Sequence, residues 1–349
     1  MLRSVAAALQ EYAAMKSAGR SGRMHHLGVA AECRATVARY MGVSDLDVAL
    51  VPSASAAMNS ICAWAALEPG DNVVVNNLEF PSVTLPFLRL RDDGVDVRVV
   101  QHERWSIDPG RLLGAVDART RILAVSHVSY VNGLRHDLVH LREGLADSTA
   151  LLVVDATQTL GVLPVPVEEA DFMVCSGYKW LLGIHGAGIL YWNRSRQAGV
   201  VPRDIGPSSV VEPYAANGYD AYALKPGAER FELGYPAFPP MYALRVSVPV
   251  LADVGIEIIA NHVLSLGTEL LNGLKALDVE VMTPKDRSSR GASISFAHPR
   301  ANEIGHRLDE MGIRVWFGDG RVRASTHLFN GLGDVQSYLE ALEVVLKAA

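Results

Sequence analysis

The chain has 349 residues, of which 49% are hydrophobic and 20% charged, and a formal net charge of −6. That length suits one large α/β domain with a smaller companion, and the composition excludes a disordered chain. No Lys/Arg cluster extends beyond a couple of residues, so the electrostatic footprint of a nucleic-acid-binding protein is missing. The three cysteines, Cys33, Cys62 and Cys175, are scattered and odd in number, which points to a reducing compartment, the cytoplasm, rather than to a disulfide framework. The N-terminal stretch has no apolar signal core and no long apolar run follows, so neither export nor a membrane partner is expected.

In chain order, apolar spacing predicts a helix over 1–18, and SAGRSGRMHHLG reads as a Gly- and Arg-rich loop. Helices near 29–41, 55–67, 81–92, 108–116 and 138–147 then alternate with strands at 47–51, 72–76, 95–100, 121–126 and 150–154. Further strands are expected at 171–175 and 186–192. This alternation predicts a mostly parallel central sheet covered on both faces. Segments such as ILAVSH and LLVVDA are apolar at consecutive positions, as such burial requires. Residues 200–240, rich in Pro, Gly and Tyr, read as a long loop near the site. Helices over 241–253 and 255–276, short strands near 279–282, 291–296 and 321–325, and a terminal helix over 333–347 make a small α+β domain. The expected division is a large domain over 20–240 and a small one over 241–349 joined by helix 1–19.

Two segments carry chemistry: VVDATQTLG, from Val153 to Gly161, and DFMVCSGYKWLLGIHGAG some two dozen residues later. Asp155 leaves one buried strand and Lys179 follows another, and in an open α/β sheet ligands bind outside the carboxyl ends of the strands. A pyridine cofactor needs both groups. The carboxylate keeps the ring nitrogen protonated, and the lysine supplies an amine for covalent attachment and then a base.

With these motifs the chain resembles the class V branch of fold-type-I pyridoxal-phosphate (PLP) enzymes, which holds cysteine desulfurases, isopenicillin N epimerase-like proteins, kynureninases and class V aminotransferases. The resemblance runs from about residue 25 to the C-terminus and implies the aminotransferase-type fold, PLP as cofactor and a homodimer with the site at the subunit interface. By motif position it makes Lys179 the Schiff-base lysine, Asp155 the ring-nitrogen partner and Gln158 the hydrogen-bonding group near the ring hydroxyl. Phe80, in NNLEFPSVTLPF, takes the place of the aromatic or His that covers the ring. Ala54 and Ser55, in PSASAAMNS, with Ser176 and Tyr178, fall at the phosphate-binding positions, where a helix N-terminus favours an anion. Arg323, in RVRASTHLFNGLGDV, matches the arginine that binds the substrate carboxylate, bidentately where geometry allows.

The departures narrow the reading. Tyr235 stands where relatives usually have a Thr that reaches the partner subunit's phosphate, and Tyr130 where desulfurases commonly have Asn. Desulfurases need a nucleophilic Cys shortly before the carboxylate-binding Arg, but GIRVWFGDGRVR is tight and has none. The resemblance therefore implies an enzyme acting on a small or modified amino acid through an external aldimine and a Cα carbanion, by a lyase (C–S or β-elimination) or epimerase-type reaction. A class V aminotransferase is the alternative, and a weakly catalytic interaction module is the alternative of another class. The chain also begins late for such an enzyme, which suggests either a truncated start or an open pocket with Arg20, Arg23, His25 and His26 at its mouth.

Plain structural alternatives stand beside these roles: Ser55 as an ordinary N-cap, Phe80 as core packing, Arg323 on the surface of an edge strand. Three rival motifs are set aside. Ser176 to Lys179 matches S-x-x-K but lacks the companion motifs of acyl-transfer enzymes. His136 and His140 are four apart but read as a satisfied surface pair, so no metal is expected. GIHGAG reads as a tight turn rather than a dinucleotide fingerprint.

Overall fold

The computed structural model describes residues 1–214 and 220–347. Helices α1 (Arg3–Lys16) and α2 (Gly19–Met41) precede an alternating region: β1 (Val48–Val51), α3 (Ala54–Ala65), β2 (Asn72–Asn76), α4 (Pro81–Leu88), β3 (Asp96–Val100), α5 (Pro109–Gly114), β4 (Thr120–Ser126), α6 (Leu138–Gly144), β5 (Leu151–Asp155), β6 (Phe172–Ser176) and β7 (Gly188–Trp192). A minimal pair, β8 (Val210–Val211) and β9 (Ala223–Leu224), interrupts the predicted 200–240 loop, part of which lies outside the described residues. Then come α7 (Phe238–Val254), α8 (Ile256–Ala276), β10 (Glu280–Val281), β11 (Ser293–Ala297), α9 (Ala301–Glu310), β12 (Trp316–Gly318), β13 (Arg321–Ser325) and α10 (Leu332–Lys347).

The large sheet has the order β1-β7-β6-β5-β4-β2-β3. β7 pairs antiparallel with both of its neighbours, β1 and β6, and the remaining pairings are parallel. Two reversals cancel, so the C-terminal ends of β1, β4, β5 and β6 meet on one rim. Side chains alternate through the sheet: Leu123, Val125, Leu152 and Val154 join one hydrophobic cluster, while Ile122, Ala124 and Val153 join the cluster on the opposite face. This is the mostly parallel, doubly covered sheet that the consecutive apolar runs predict. A second sheet, ordered β10-β11-β13-β12 and antiparallel throughout, packs against α9, α10 and the later turns of α8 around a separate apolar cluster. α7 and the first turns of α8 contribute Leu244, Val248, Leu251, Ile259 and Val263 to the larger cluster instead.

Several local expectations need correction. The predicted loop SAGRSGRMHHLG is the start of α2, whose buried stripe begins with Gly22 and His26 before Val29, Cys33 and Val37. Neither Gly nor His registers as apolar, so the helical period is hidden there. Gly22 is required by close approach, since a Cβ on it would come 1.9 Å from the Met15 carbonyl oxygen of α1. His26 is buried, with its Nδ1 2.8 Å from the Tyr242 hydroxyl, and His25 pairs with Glu11 at 2.8 Å. These histidines tie α1, α2 and α7 together. α9 and β12 have no counterpart among the predicted elements. His136 is not on the surface: it is buried just before α6, with its pKa pushed down to about 4 by that burial, whereas His140 is exposed. No cluster of metal-ligating side chains occurs among the described residues.

Candidate functional site

At the rim where β1, β4, β5 and β6 end, a pocket is lined by Ser53, Ala54, Ser55, Phe80, Ser82, Ser126, Tyr130, Asp155, Thr157, Gln158, Ser176, Tyr178 and Lys179. The structure thus brings together nine of the sequence-predicted residues from segments spread over more than a hundred positions. Arg323 and Tyr235 are not among the lining residues, and neither are Arg20, Arg23, His25 or His26.

Asp155 ends β5 and is 4% exposed, with Oδ1 accepting from the Thr157 N–H at 2.8 Å. Burial pushes its pKa up, against the opposing pull of the Thr157 hydrogen bond and the positive charge of Lys179. A carboxylate placed there is short of a cationic donor. Thr157 also accepts the Ser176 N–H through its hydroxyl at 3.0 Å, so one side chain locks the end of β5 to the end of β6. Lys179 stands in the turn after β6, half-buried and outside any ion pair among the described residues. Its pKa is lowered, mainly by burial, with Asp155 pulling upward and Arg323 pushing downward. The ammonium nitrogen lies 5.4 Å from the Phe80 ring centroid and 5.8 Å from that of Tyr178.

Gln158 is oriented by Trp180, whose indole N–H donates to Oε1 at 3.0 Å and leaves the amide N–H groups to face the pocket. Phe80 caps α4 and is 38% exposed, so it is not core packing; its ring meets Tyr130 edge-on at 5.0 Å. Tyr178 stacks on His185 at 4.0 Å between centroids. The N-cap of α3 is Ser53 rather than Ser55: its hydroxyl accepts from the Ala56 N–H and its carbonyl from that of Ala57. The N–H groups of Ala54 and Ser55 are left without a protein acceptor among the described residues, at the positive end of a helix and on the pocket wall. Ser55 and Ser82 hydroxyls meet at 2.6 Å above them.

This set fits PLP. The free N–H groups and serines suit a phosphate, Phe80 an aromatic ring face, Gln158 a ring oxygen, Asp155 a protonated ring nitrogen and Lys179 an aldehyde. Sequence reasoning missed Ser53, Ser82, Ser126 and Thr157. Ser53 and Thr157 sit beside predicted residues and carry the signal of turn and cap formers, while Ser82 and Ser126 carry none beyond following Phe80-Pro81 and ending a strand.

Arg323 projects from β13 toward the pocket rim. Its Nη1 donates to the Tyr130 carbonyl, and its guanidinium carbon lies 5.3 Å from the Trp316 ring centroid. Burial, with help from neighbouring Arg321, lowers its pKa to about 10, so it stays charged at neutral pH. It is not the exposed residue of an edge strand, since β13 pairs with β11 on one side and β12 on the other. Tyr235 is 55% exposed and bonded to Arg23, with the Arg23 guanidinium 5.2 Å from its ring centroid. The turn between β12 and β13 is Asp319-Gly320, both at positive φ, and it is as tight as the sequence suggests. The three cysteines are all buried elsewhere.

No helix is long and apolar enough to cross a membrane among the described residues. The chain is 31% identical over 335 residues, 90% of its length and 83% of the relative's, to a probable cysteine desulfurase of Methanothermobacter thermautotrophicus. Its fold matches the cysteine desulfurase of Thermococcus onnurineus NA1 at a TM-score of 0.88 and 24% identity, over 99% of this chain and 92% of that one. It also matches C-DES, a cystine C–S lyase, at a TM-score of 0.90 and 18–19% identity, over 98% of this chain and 93–94% of that one; one C-DES structure has glycine covalently linked to its PLP cofactor and another holds its product, cysteine persulfide. Residues 1–332 match the family described as Aminotransferase class-V, and the chain therefore belongs to the class-V aminotransferase family.

Proposed function

We propose that this protein is a PLP-dependent lyase that cleaves the Cβ–S bond of a small or modified amino acid, with Lys179 carrying the cofactor. The observation that carries the reading is Lys179 itself, an amine with no ion pair among the described residues, facing a pocket whose walls also hold Asp155 and Gln158. Bound at these residues, PLP supplies an electron sink for charge developing at the substrate Cα.

The side chains divide the work. Burial lowers the Lys179 pKa and so favours the neutral amine, which suits a group that must first attach and then take the Cα proton at Nζ. Asp155 would hold the proton on the cofactor's ring nitrogen, and Phe80 would shield the ring from water. Arg323 would anchor the substrate carboxylate and so orient the bonds at Cα for cleavage. With no cysteine in the Asp319-Gly320 turn and all three cysteines buried, sulfur leaves as a small diffusible species instead of passing to a protein thiol. The likeness to probable cysteine desulfurases and to the cystine C–S lyase C-DES supports lysis over transamination. The expected assembly is a cytoplasmic homodimer in which Tyr235, exposed here, approaches the partner's pocket.

The test combines spectroscopy with product analysis. PLP-loaded protein should show the visible band of lysine-bound cofactor, lost on borohydride treatment and absent in Lys179→Ala. Incubation with cystine or cysteine S-conjugates should give pyruvate, ammonia and a sulfur species together. A keto acid that retains the whole side chain would make the enzyme a transaminase and refute the lyase reading.

A further inference from the structure

Side chains alternate along β13. Val322 and Ala324 enter the apolar cluster with α8, α9 and α10, so Arg321 and Arg323 share the opposite face, the one turned toward Tyr130 of the pocket wall. Arg321 is the more deeply buried of the two, at 5% exposure. Its guanidinium carbon lies 4.3 Å from the Trp316 ring centroid and 5.2 Å from that of Tyr130. Two π faces support the charge, yet its Nε and Nη2 donors are buried with no acceptor among the described residues. The nearest carboxylate, Asp319, touches only Nη1 at 3.4 Å and is itself 71% exposed. Arg323 shares the Trp316 ring and likewise has a buried, unpaired Nε.

A buried and a half-buried cation side by side, with three buried donors idle among the described residues, are costly unless an anion arrives, because unpaired charged donors lose their hydration without compensation. The α-carboxylate of an amino acid satisfies one guanidinium. A second negative group is needed for the other. We propose that Arg321 is a specificity-determining residue, holding an acidic group at the end of the substrate side chain while Arg323 holds the α-carboxylate. The inference rests on the lyase reading above and names its substrate class: cysteine S-conjugates, or similar amino acids, whose substituent ends in a carboxylate or an equivalent oxyanion. Tyr130, between Arg321 and Phe80, sets the distance that such a side chain must span.

The test uses a matched pair, S-(carboxymethyl)cysteine and its neutral amide S-(carbamoylmethyl)cysteine, with PLP-loaded protein. Affinity is read from the change in the visible spectrum and, independently, from the rise in melting temperature with ligand. The acid should bind at least tenfold more tightly than the amide. Arg321→Gln should abolish that difference while leaving amide binding and the visible band unchanged, and Arg321→Lys should restore part of it. Equal affinity of the parent protein for acid and amide, with the lysine-bound band present, overturns this inference and leaves the lyase reading intact. Equal weakening of both ligands in Arg321→Gln overturns it too, as the mark of a purely structural arginine. A protein with no visible band removes the lyase reading, and this inference with it.

Discussion

Asp155→Asn separates a functional carboxylate from a structural one. The substitution is nearly isosteric, and the amide oxygen can keep accepting the Thr157 N–H now held at 2.8 Å. What disappears is a buried negative charge whose pKa is raised by desolvation despite the Thr157 bond and Lys179. Without cofactor, removing an under-compensated buried charge should stabilise the fold by about 1–3 kcal/mol, the usual desolvation penalty of such a group. With cofactor the effect reverses. A charge-assisted hydrogen bond to the ring nitrogen is worth about 2–3 kcal/mol, so its loss should lower turnover by roughly 30- to 150-fold. Thermal unfolding of the apo form and steady-state rates of the loaded form read the two effects separately. The linkage has a definite sign: a carboxyl whose folded pKa lies above its ordinary value of 3.8 lowers stability as pH rises from there through the folded value. The apo-form gain from Asp155→Asn should therefore shrink as the pH is lowered toward 3.8. An apo variant less stable than its parent at neutral pH, together with undiminished turnover, would refute the assignment.

Two further perturbations probe the walls of the pocket. Trp180→Phe removes the indole donor that fixes the Gln158 amide, and the loss of about 1.4 kcal/mol should weaken PLP binding roughly tenfold in equilibrium dialysis. Glu79 is buried, accepts the Ser126 N–H and Asn76 amide, and has its pKa pushed up to about 7 by desolvation. Its folded pKa exceeds the ordinary 4.5, so stability should fall as pH climbs from 4.5 to about 7, and Glu79→Gln should flatten that part of the melting-temperature profile.

The sequence was most legible where burial is two-sided. ILAVS and LLVVD can only be strands covered on both faces, and the residues that end or follow such strands, Asp155 and Lys179, fall on the rim by the geometry of the sheet. Legibility failed where the buried face is not apolar. Gly22 and His26 carry the inner stripe of α2 by close approach and by a hydrogen bond to Tyr242, two forms of complementarity that composition does not record. α9 was missed because its buried stripe, Ala301, Ile304, Gly305 and Leu308, is short and interleaved with charge. The pocket serines escaped for a related reason. Ser82 and Ser126 matter through the helix end and strand end they occupy, which become neighbours only when β1, β2, β4 and β5 assemble. Arg321 reads as one basic residue among many until Trp316 and Tyr130 are seen beside it.

The residues proposed to hold the cofactor and those proposed to choose the substrate come from different hydrophobic clusters. Asp155, Gln158 and Lys179 are anchored by the large sheet, whereas Trp316, Arg321 and Arg323 ride on a compact hairpin of the small one. That hairpin is closed by two residues, and its inner strand is held by β11 and by Val322 and Ala324 in the apolar cluster. Changes confined to Trp316 and Arg321 should therefore alter which substrates are accepted while Arg323 and Lys179 keep their places.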